Sequence, residues 1–301
     1  MNKALFAAAA STLALVSTAA HADTTKFDAY VGAAVGFDSN QITDTDGSAR
    51  GGITFDVRGS VAVPIKGTNL GVQGDVEYSN TEIANFGDWR DGNAHFGQET
   101  VALHGFTRTD KGLVGVIFQT TKQDAKDQYY FGNSDRRNYF GAEGQLYLNK
   151  VTLSGQATYF IASGSPFIWG GYTYSIDSHG FNLAASAKYF VTPNTSLAAE
   201  AAFESTAYNY ESVDTYTHNS WLAGFKAEHR LASTPVSYSL EGSYREGKYL
   251  NDNTNRDHDL RLLVGVKFNF GSKTLLERDR SGASLETVKS LAGLDNGNRD
   301  D

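Results

Sequence analysis

From residue 260 to 270 the side chains alternate without a break. Leu260, Leu262, Val264, Val266, Phe268 and Phe270 share one parity; Arg261, Leu263, Gly265, Lys267 and Asn269 share the other. A period of two places the two sets on opposite faces of a β-strand. The same period recurs near 26–37, 51–63, 68–79, 99–109, 112–120, 138–148, 150–161, 180–191, 195–206, 218–231, 235–247 and 257–270. That makes about twelve segments, each near the ~9–11 residues that cross a bilayer as a tilted strand. In 51–63, Ile53, Phe55, Val57, Val61 and Val63 oppose Asp56, Arg58 and Ser60; in 68–79, Leu70, Val72, Val76 and Tyr78 oppose Gln73, Asp75 and Glu77. Segment 112–120, GLVGVIFQT, is apolar on both parities, so its register is open.

The connections alternate between long and short. DSNQITDTDGSAR is followed by PIKGTN, TEIANFGDWRDGNAHFG by TDKG, TKQDAKDQYYFGNSDRR by NK, SGSPFIWGGYTYSIDSHG by TPN, and YNYESVDTYT by STP. A soluble sandwich has no reason to sort its loops this way. A membrane barrel does, with tight turns at the periplasmic end and long loops outside. The expected fold is therefore all-β: a closed antiparallel transmembrane β-barrel of about twelve strands. The apolar parity then meets lipid, the polar parity lines the lumen, and closure leaves no unpaired edge in hydrocarbon.

Composition agrees with this reading. The 301 residues include 31 Gly, 16 Tyr and 18 Phe but only 4 Pro, which suits strands better than helices. The formal charge of −8 supplies no basic stripe for nucleic acid. Lys3, the apolar run ALFAAAASTLALVSTAA and Ala20-His21-Ala22 form an export signal over 1–22, cleaved before Asp23. The absence of cysteine leaves an exported chain without disulfides. Phe27, Phe37, Tyr78, Tyr159, Tyr189, Trp221, Tyr238, Tyr244, Phe268 and Phe270 gather near strand ends, as interfacial girdles do. Ordinary β-propensity would enrich them there as well.

Taken together, these features make residues 1–270 resemble a Gram-negative outer-membrane β-barrel of the porin-like family. In that family a glycine and two aromatics spaced by one residue mark the last strand for insertion; Gly265, Phe268 and Phe270 match that pattern. The resemblance implies an integral outer-membrane protein after signal removal. Its partners would be outer-membrane lipid, lipopolysaccharide and the barrel-assembly machinery. It implies no cofactor and leaves the oligomeric state open. The family signal usually ends the chain, whereas here 272–301 follows Phe270. With alternation gone, that segment is expected to be a mostly disordered periplasmic tail, and Leu285, Val288 and Leu291 after Ser284 have the spacing of one short helix.

On the barrel, 23–271, the lumen-facing parity carries Arg58, Asp75, Glu77, Arg108, Glu143, Lys188, Glu200, Lys226, Glu228, Arg230, Glu241, Arg245, Arg261 and Lys267, with Asp28, Asp56, Glu204 and His104. Such charges either pair along the wall or form opposed ladders at a constriction. Lys226, Arg230, Arg245, Arg261 and Lys267 form a basic sector that favours anions, diluted by Glu228 and Glu241. The expected function is passive diffusion of small hydrophilic solutes, with anions favoured if that sector dominates.

The competing readings are a non-conducting structural or adhesive barrel that binds a partner through its loops and, behind it, a hydrolase. No enzyme is expected, because His95, His104, His179, His218, His229 and His258 have no serine or acid at triad spacing. In Asp177-Ser178-His179 and Asp257-His258-Asp259 adjacent residues point to opposite faces of a strand, so the three cannot converge as a triad. No metal site is expected either, since Asp44–Gly47 lacks the remaining ligands of a calcium loop. The aromatic loop around Phe167, Ile168, Trp169, Tyr172 and Tyr174 is expected to prolong its hairpin rather than fold into the pore.

Overall fold

The structure is a computed structural model that describes residues 27–42, 51–83, 94–126, 133–164, 167–169, 172–174, 176–210, 216–249 and 256–291. The segment 1–22 and Asp44–Gly47 lie outside the described residues. The strands are β1 (Asp28–Ile42), β2 (Gly52–Pro64), β3 (Leu70–Ile83), β4 (Ala94–Thr109), β5 (Gly112–Lys126), β6 (Asn133–Leu148), β7 (Val151–Gly164), β8 (Phe167–Trp169), β9 (Tyr172–Tyr174), β10 (Ile176–Thr192), β11 (Thr195–Tyr210), β12 (Tyr216–Arg230), β13 (Val236–Tyr249) and β14 (Arg256–Phe270). All but β8 and β9 pair antiparallel with their chain neighbours in one closed twelve-strand barrel. β14 closes the ring on β1, from Ala29 opposite Phe270 to Ile42 opposite Asp257. β8 and β9 form a separate two-stranded sheet within their loop.

The strands run longer than the alternation alone marks. β4 begins at Ala94, β5 reaches Lys126 and β6 starts at Asn133. These extensions lie at the long-loop end and still pair, for example Gln98 with Gln123 and Lys122 with Arg136. Apart from Phe96 they carry no large apolar side chain, so hydropathy does not mark them, while the ladder needs only backbone partners.

One parity of every barrel strand points outward. Val101, Leu103, Val114, Val116 and Phe118 are 54–63% exposed. Leaving so many large apolar side chains in water forfeits about 1.5–3 kcal/mol each, which a hydrocarbon surround recovers. Phe37, Tyr159, Tyr189, Trp221, Tyr238, Tyr244, Phe268 and Phe270 are exposed on this face as expected, whereas Tyr78 is buried and Phe27 partly so. In β5 the register resolves: Val114, Val116 and Phe118 face out, while Leu113 and Ile117 are buried inside.

The main departure follows Phe270. Gly271 has φ +95°, and a Cβ there would lie 2.3 Å from the Phe27 carbonyl oxygen, so only glycine permits the chain to turn under the rim. Helix α1 (Leu275–Ser281) then lies across the turn end of the barrel. Thr274 caps it by accepting from the Glu277 amide at 3.0 Å, and Glu277 accepts from the Lys273 amide at 2.7 Å. The Leu276 amide donates to Pro193 O at 3.0 Å, and Arg280 donates to Asn149 O and Val151 O at 2.9 and 3.1 Å. From Gly282 to Leu291 the chain has no helix or ladder of its own and runs into the barrel interior.

The described part of the tail is therefore ordered and largely buried, not a mobile appendage. Its helix lies before Gly282 rather than over 284–291. The reason is geometric. Leu285, Val288 and Leu291 seat in three separate clusters up the inner wall, which the ~1.5 Å rise of a helix could not reach in step.

Candidate functional site

The lumen is the candidate site, and alternation decides what enters it. The gripping side, β4–β7 with β10, β11 and Gln73 of β3, presents amides, apolar groups and a few fully paired charges. Leu285 packs with Phe106, Leu113 and Tyr147, and Val288 with Ala102, Ile117, Tyr139 and Phe160. Leu291 lies against Ala202 of β11 and Leu222 of the neighbouring β12.

The buried backbone between these seats must find partners, and side chains of the wall supply them. Gln73 Nε2 donates to Leu285 O at 2.8 Å while its Oε1 accepts from the Leu285 amide at 3.3 Å. Gln119 repeats the bracket on Val288, at 2.8 and 2.7 Å. Gln145 donates to Ser284 O at 3.0 Å, Gln156 to Glu286 O at 2.7 Å, Asn182 to Lys289 O at 2.8 Å and Arg245 to Leu291 O at 2.6 Å. Glu204 accepts from the Leu291 amide at 3.3 Å.

The entrance is held as firmly. Asp28 accepts from the amides of Ser272 and Ala283, both at 2.9 Å, so one carboxylate pins the tail on either side of α1. Arg108 donates to Gly282 O and Ser284 Oγ at 3.0 and 2.9 Å; Arg230 donates to Ser272 O at 2.6 Å. Arg278 reaches Glu228 at 3.0 Å, and Lys188 meets Asp279 at 3.0 Å.

The opposite side, β12–β14 with β1, β2 and Glu77 and Ser79 of β3, is a charge network. Arg58 lies 2.8 Å from Asp56, 3.5 Å from Glu77 and 2.7 Å from Glu241 across the barrel. Arg261 reaches Asp56 at 3.3 Å and Ser79 at 2.8 Å, Lys226 lies 3.4 Å from Glu241, and Lys267 lies 3.1 Å from Glu228. A cavity of about 260 Å³ remains here, bounded by this wall, Glu200 and tail residues 285–291. Two further clusters are dry. His104 sits between Asp75 and Glu143 at 2.7 and 2.8 Å, and Arg137 pairs with Glu204 at 2.9 Å and Asp135 at 2.7 Å.

The structure thus places every charged residue singled out from the sequence on the inner face: Arg58, Asp75, Glu77, Arg108, Glu143, Lys188, Glu200, Lys226, Glu228, Arg230, Glu241, Arg245, Arg261 and Lys267. The basic sector is not an open run of cations. Each of its members faces an acid or a carbonyl oxygen, so little charge is left to favour anions. Of the assembly-signal residues, Phe268 and Phe270 face outward, and Gly265 faces inward where a Cβ would lie 2.8 Å from Ser239 Oγ. His229 lies on the outer face with Nδ1 2.9 Å from Thr195 Oγ1. The side chains of the aromatic loop lie outside the described residues.

Sequence reasoning missed Gln73, Gln119, Gln145, Gln156 and Asn182 as a set, together with Arg137. A signal existed. Phe106, Leu113, Ile117 and Leu222 are large apolar residues on the lumen parity, where water alone would not repay them, and the tail repeats an apolar residue every third position.

No family model matches the chain, and no curated protein matches it in sequence. Solved structures do. The translocator domain of the autotransporter NalP from Neisseria meningitidis is 14% identical, with 88% of this chain and 97% of that chain covered and a TM-score of 0.51. An outer-membrane channel from Pseudomonas putida F1 is 13% identical, covering 80% of this chain and 95% of that one, TM-score 0.48. The outer-membrane protease OmpT from Escherichia coli is 10% identical over 83% and 98% of the two chains, TM-score 0.37. This chain has the fold of a Gram-negative outer-membrane β-barrel. At such identities the likeness concerns the fold alone, and the activity has to be argued from the lumen.

Proposed function

We propose that this chain is an outer-membrane channel for small hydrophilic solutes, held closed by its own C-terminal segment. The observation that carries the reading is the division of the lumen. One wall grips a single extended chain mainly through neutral amides and three apolar seats, and the other keeps a charged space of about 260 Å³ beside it. A barrel of this girth is too wide for its own side chains to fill. Here the tail completes the filling, and it is attached through the turn at Gly271 rather than by a covalent cross-link.

With the tail displaced, the wall left around the cavity carries Asp38, Asp75, Glu77, Glu200, Glu241 and Asp259 against Arg58, Lys226, Arg245 and Arg261. Fixed charges of a pore wall attract the opposite ion, so the open state is expected to favour small cations weakly over anions. The barrel would sit in the outer membrane after export, with lipid and lipopolysaccharide at its outer face, assembled by the barrel-assembly machinery. No catalytic role and no cofactor form part of the proposal.

The test is planar-bilayer recording of the full chain and of its Leu285→Asp/Val288→Asp/Leu291→Asp variant, which forces charge into the three apolar seats. The native chain is expected to stay mostly silent and the variant to show discrete open steps. Silence in both, with insertion verified by heat-modifiable migration, would sink the channel and leave the structural barrel.

A further inference from the structure

We infer that the gripping wall is a binding site for extended polypeptide, able to take in trans a chain with an apolar residue at every third position. The inference rests on the tail being displaceable, as proposed above, and goes beyond it by assigning the wall a class of ligand.

The argument lies in what the wall recognises. Gln73 and Gln119 each give one donor and one acceptor to a single tail residue, taking its carbonyl and its amide together. A carbonyl acceptor and an N–H donor on one residue, repeated three residues on, is the signature of peptide backbone; sugars and acyl chains do not present it. Both glutamines are nearly fully buried beneath the tail, at 1% and 0% exposure, so in the filled lumen peptide backbone and not water supplies these partners. A bound chain that did not offer both groups would leave the glutamines unpaired under its own cover, which makes the filled site selective for peptide backbone.

The side-chain demands are few: apolar groups at the positions of Leu285, Val288 and Leu291. Between them Glu286, Thr287 and Lys289 meet Lys226, Glu77 and Glu200 on the wall that borders the cavity. Recognition is therefore directed mainly at backbone and spacing, which a peptide other than the tail can satisfy. The tethered tail wins in the resting chain because its effective concentration is on the order of millimolar.

The probe is a blocked, fluorescein-labelled peptide of residues 282–291, GASLETVKSL, with a control of the same composition whose apolar residues are moved to every second position. Both are titrated by anisotropy against the native full chain and the Leu285→Asp/Val288→Asp/Leu291→Asp variant, and both are applied to that variant in the bilayer. The patterned peptide is expected to bind the variant at least about tenfold more tightly than the control, and about tenfold or more better than it binds the native chain. It should also close the variant's open steps.

Adding Gln119→Leu to the variant should remove most of that binding. If the triple variant does not fold, Val288→Asp alone provides the vacated seat. Open steps with no peptide binding, or equal binding of both peptides, would overturn the peptide site and leave the channel standing. Pattern-dependent binding to a silent barrel would keep the site and overturn the channel.

Discussion

The two halves of the inner wall obey the same alternation and do opposite things. On β4–β7, β10 and β11, with Gln73 of β3, the lumen parity is filled by amides, aromatics, aliphatics and dry, fully paired charges such as Arg137 with Glu204. A chain segment lies against it with little room for water. On β12–β14 and β1–β3 the same parity carries Arg58, Lys226, Glu241 and Arg261, and a cavity persists. The difference shows that polar-inward is too coarse a description of a barrel wall. Neutral amides satisfy a backbone one residue at a time and tolerate dryness, whereas ionised groups keep water near them unless every charge is paired.

The sharpest break of this comparison is a matched pair of arginine deletions. Arg137 is 2% exposed and its partner Glu204 is fully buried, so Arg137→Leu orphans a dry carboxylate and is expected to cost about 3–5 kcal/mol. Arg58 is 22% exposed beside the cavity, and Arg58→Leu should cost clearly less because water reaches Glu77 and Glu241 while Arg261 still pairs with the buried Asp56. Urea unfolding of the refolded barrels measures both, and equal losses would erase the distinction between a dry half and a wet one.

Next in size is the amide grip itself. Gln73→Leu with Gln119→Leu leaves the amides and carbonyls of Leu285 and Val288 unpaired at about 1–3 kcal/mol per group. The tail should release from an intact barrel, read as faster tryptic cleavage after Lys289 at unchanged heat-modifiable migration. Protection equal to that of the native chain would mean the apolar seats alone hold the tail.

A smaller effect is expected at the turn that delivers the tail. Gly271→Ala meets the Phe27 carbonyl and an unfavourable positive φ, together about 1–3 kcal/mol against the inward course. It should raise the same cleavage less than the double glutamine change. Smallest is a selectivity change on the wet half: Arg261→Glu in the tail-released variant should shift the reversal potential further toward cations. A shift toward anions would contradict the inward placement of Arg261.

Legibility differed between these regions for physical reasons. The barrel was readable because lipid outside and water or polar groups inside impose one rule on every strand, and the run from Leu260 to Phe270 obeys it completely. β5 resisted because Leu113 and Ile117 face a protein ligand rather than water, so its inner face is apolar too. In the basic sector the diluting acids Glu228 and Glu241 were legible and do pair with Lys267 and Lys226. The pairing of Arg261 with Asp56 was not, because Asp56 comes from β2, far off in sequence. The tail was misread because Leu285, Val288 and Leu291 fit a helix by spacing alone. Nothing local shows that three clusters at different heights compete for them.

What the amino-acid sequence determined by itself is the barrel: strand number, antiparallel order, and which side chains face lipid, since each follows from a period of two and the solvent on either side. What only the tertiary structure decided is the content of the lumen. Closing the ring brings Gln73, Gln119, Gln145, Gln156 and Asn182, far apart in the chain, around the single extended segment 284–289. The unpaired backbone of 282–291 finds its partners there only after that closure, so its place could not be read from its own residues.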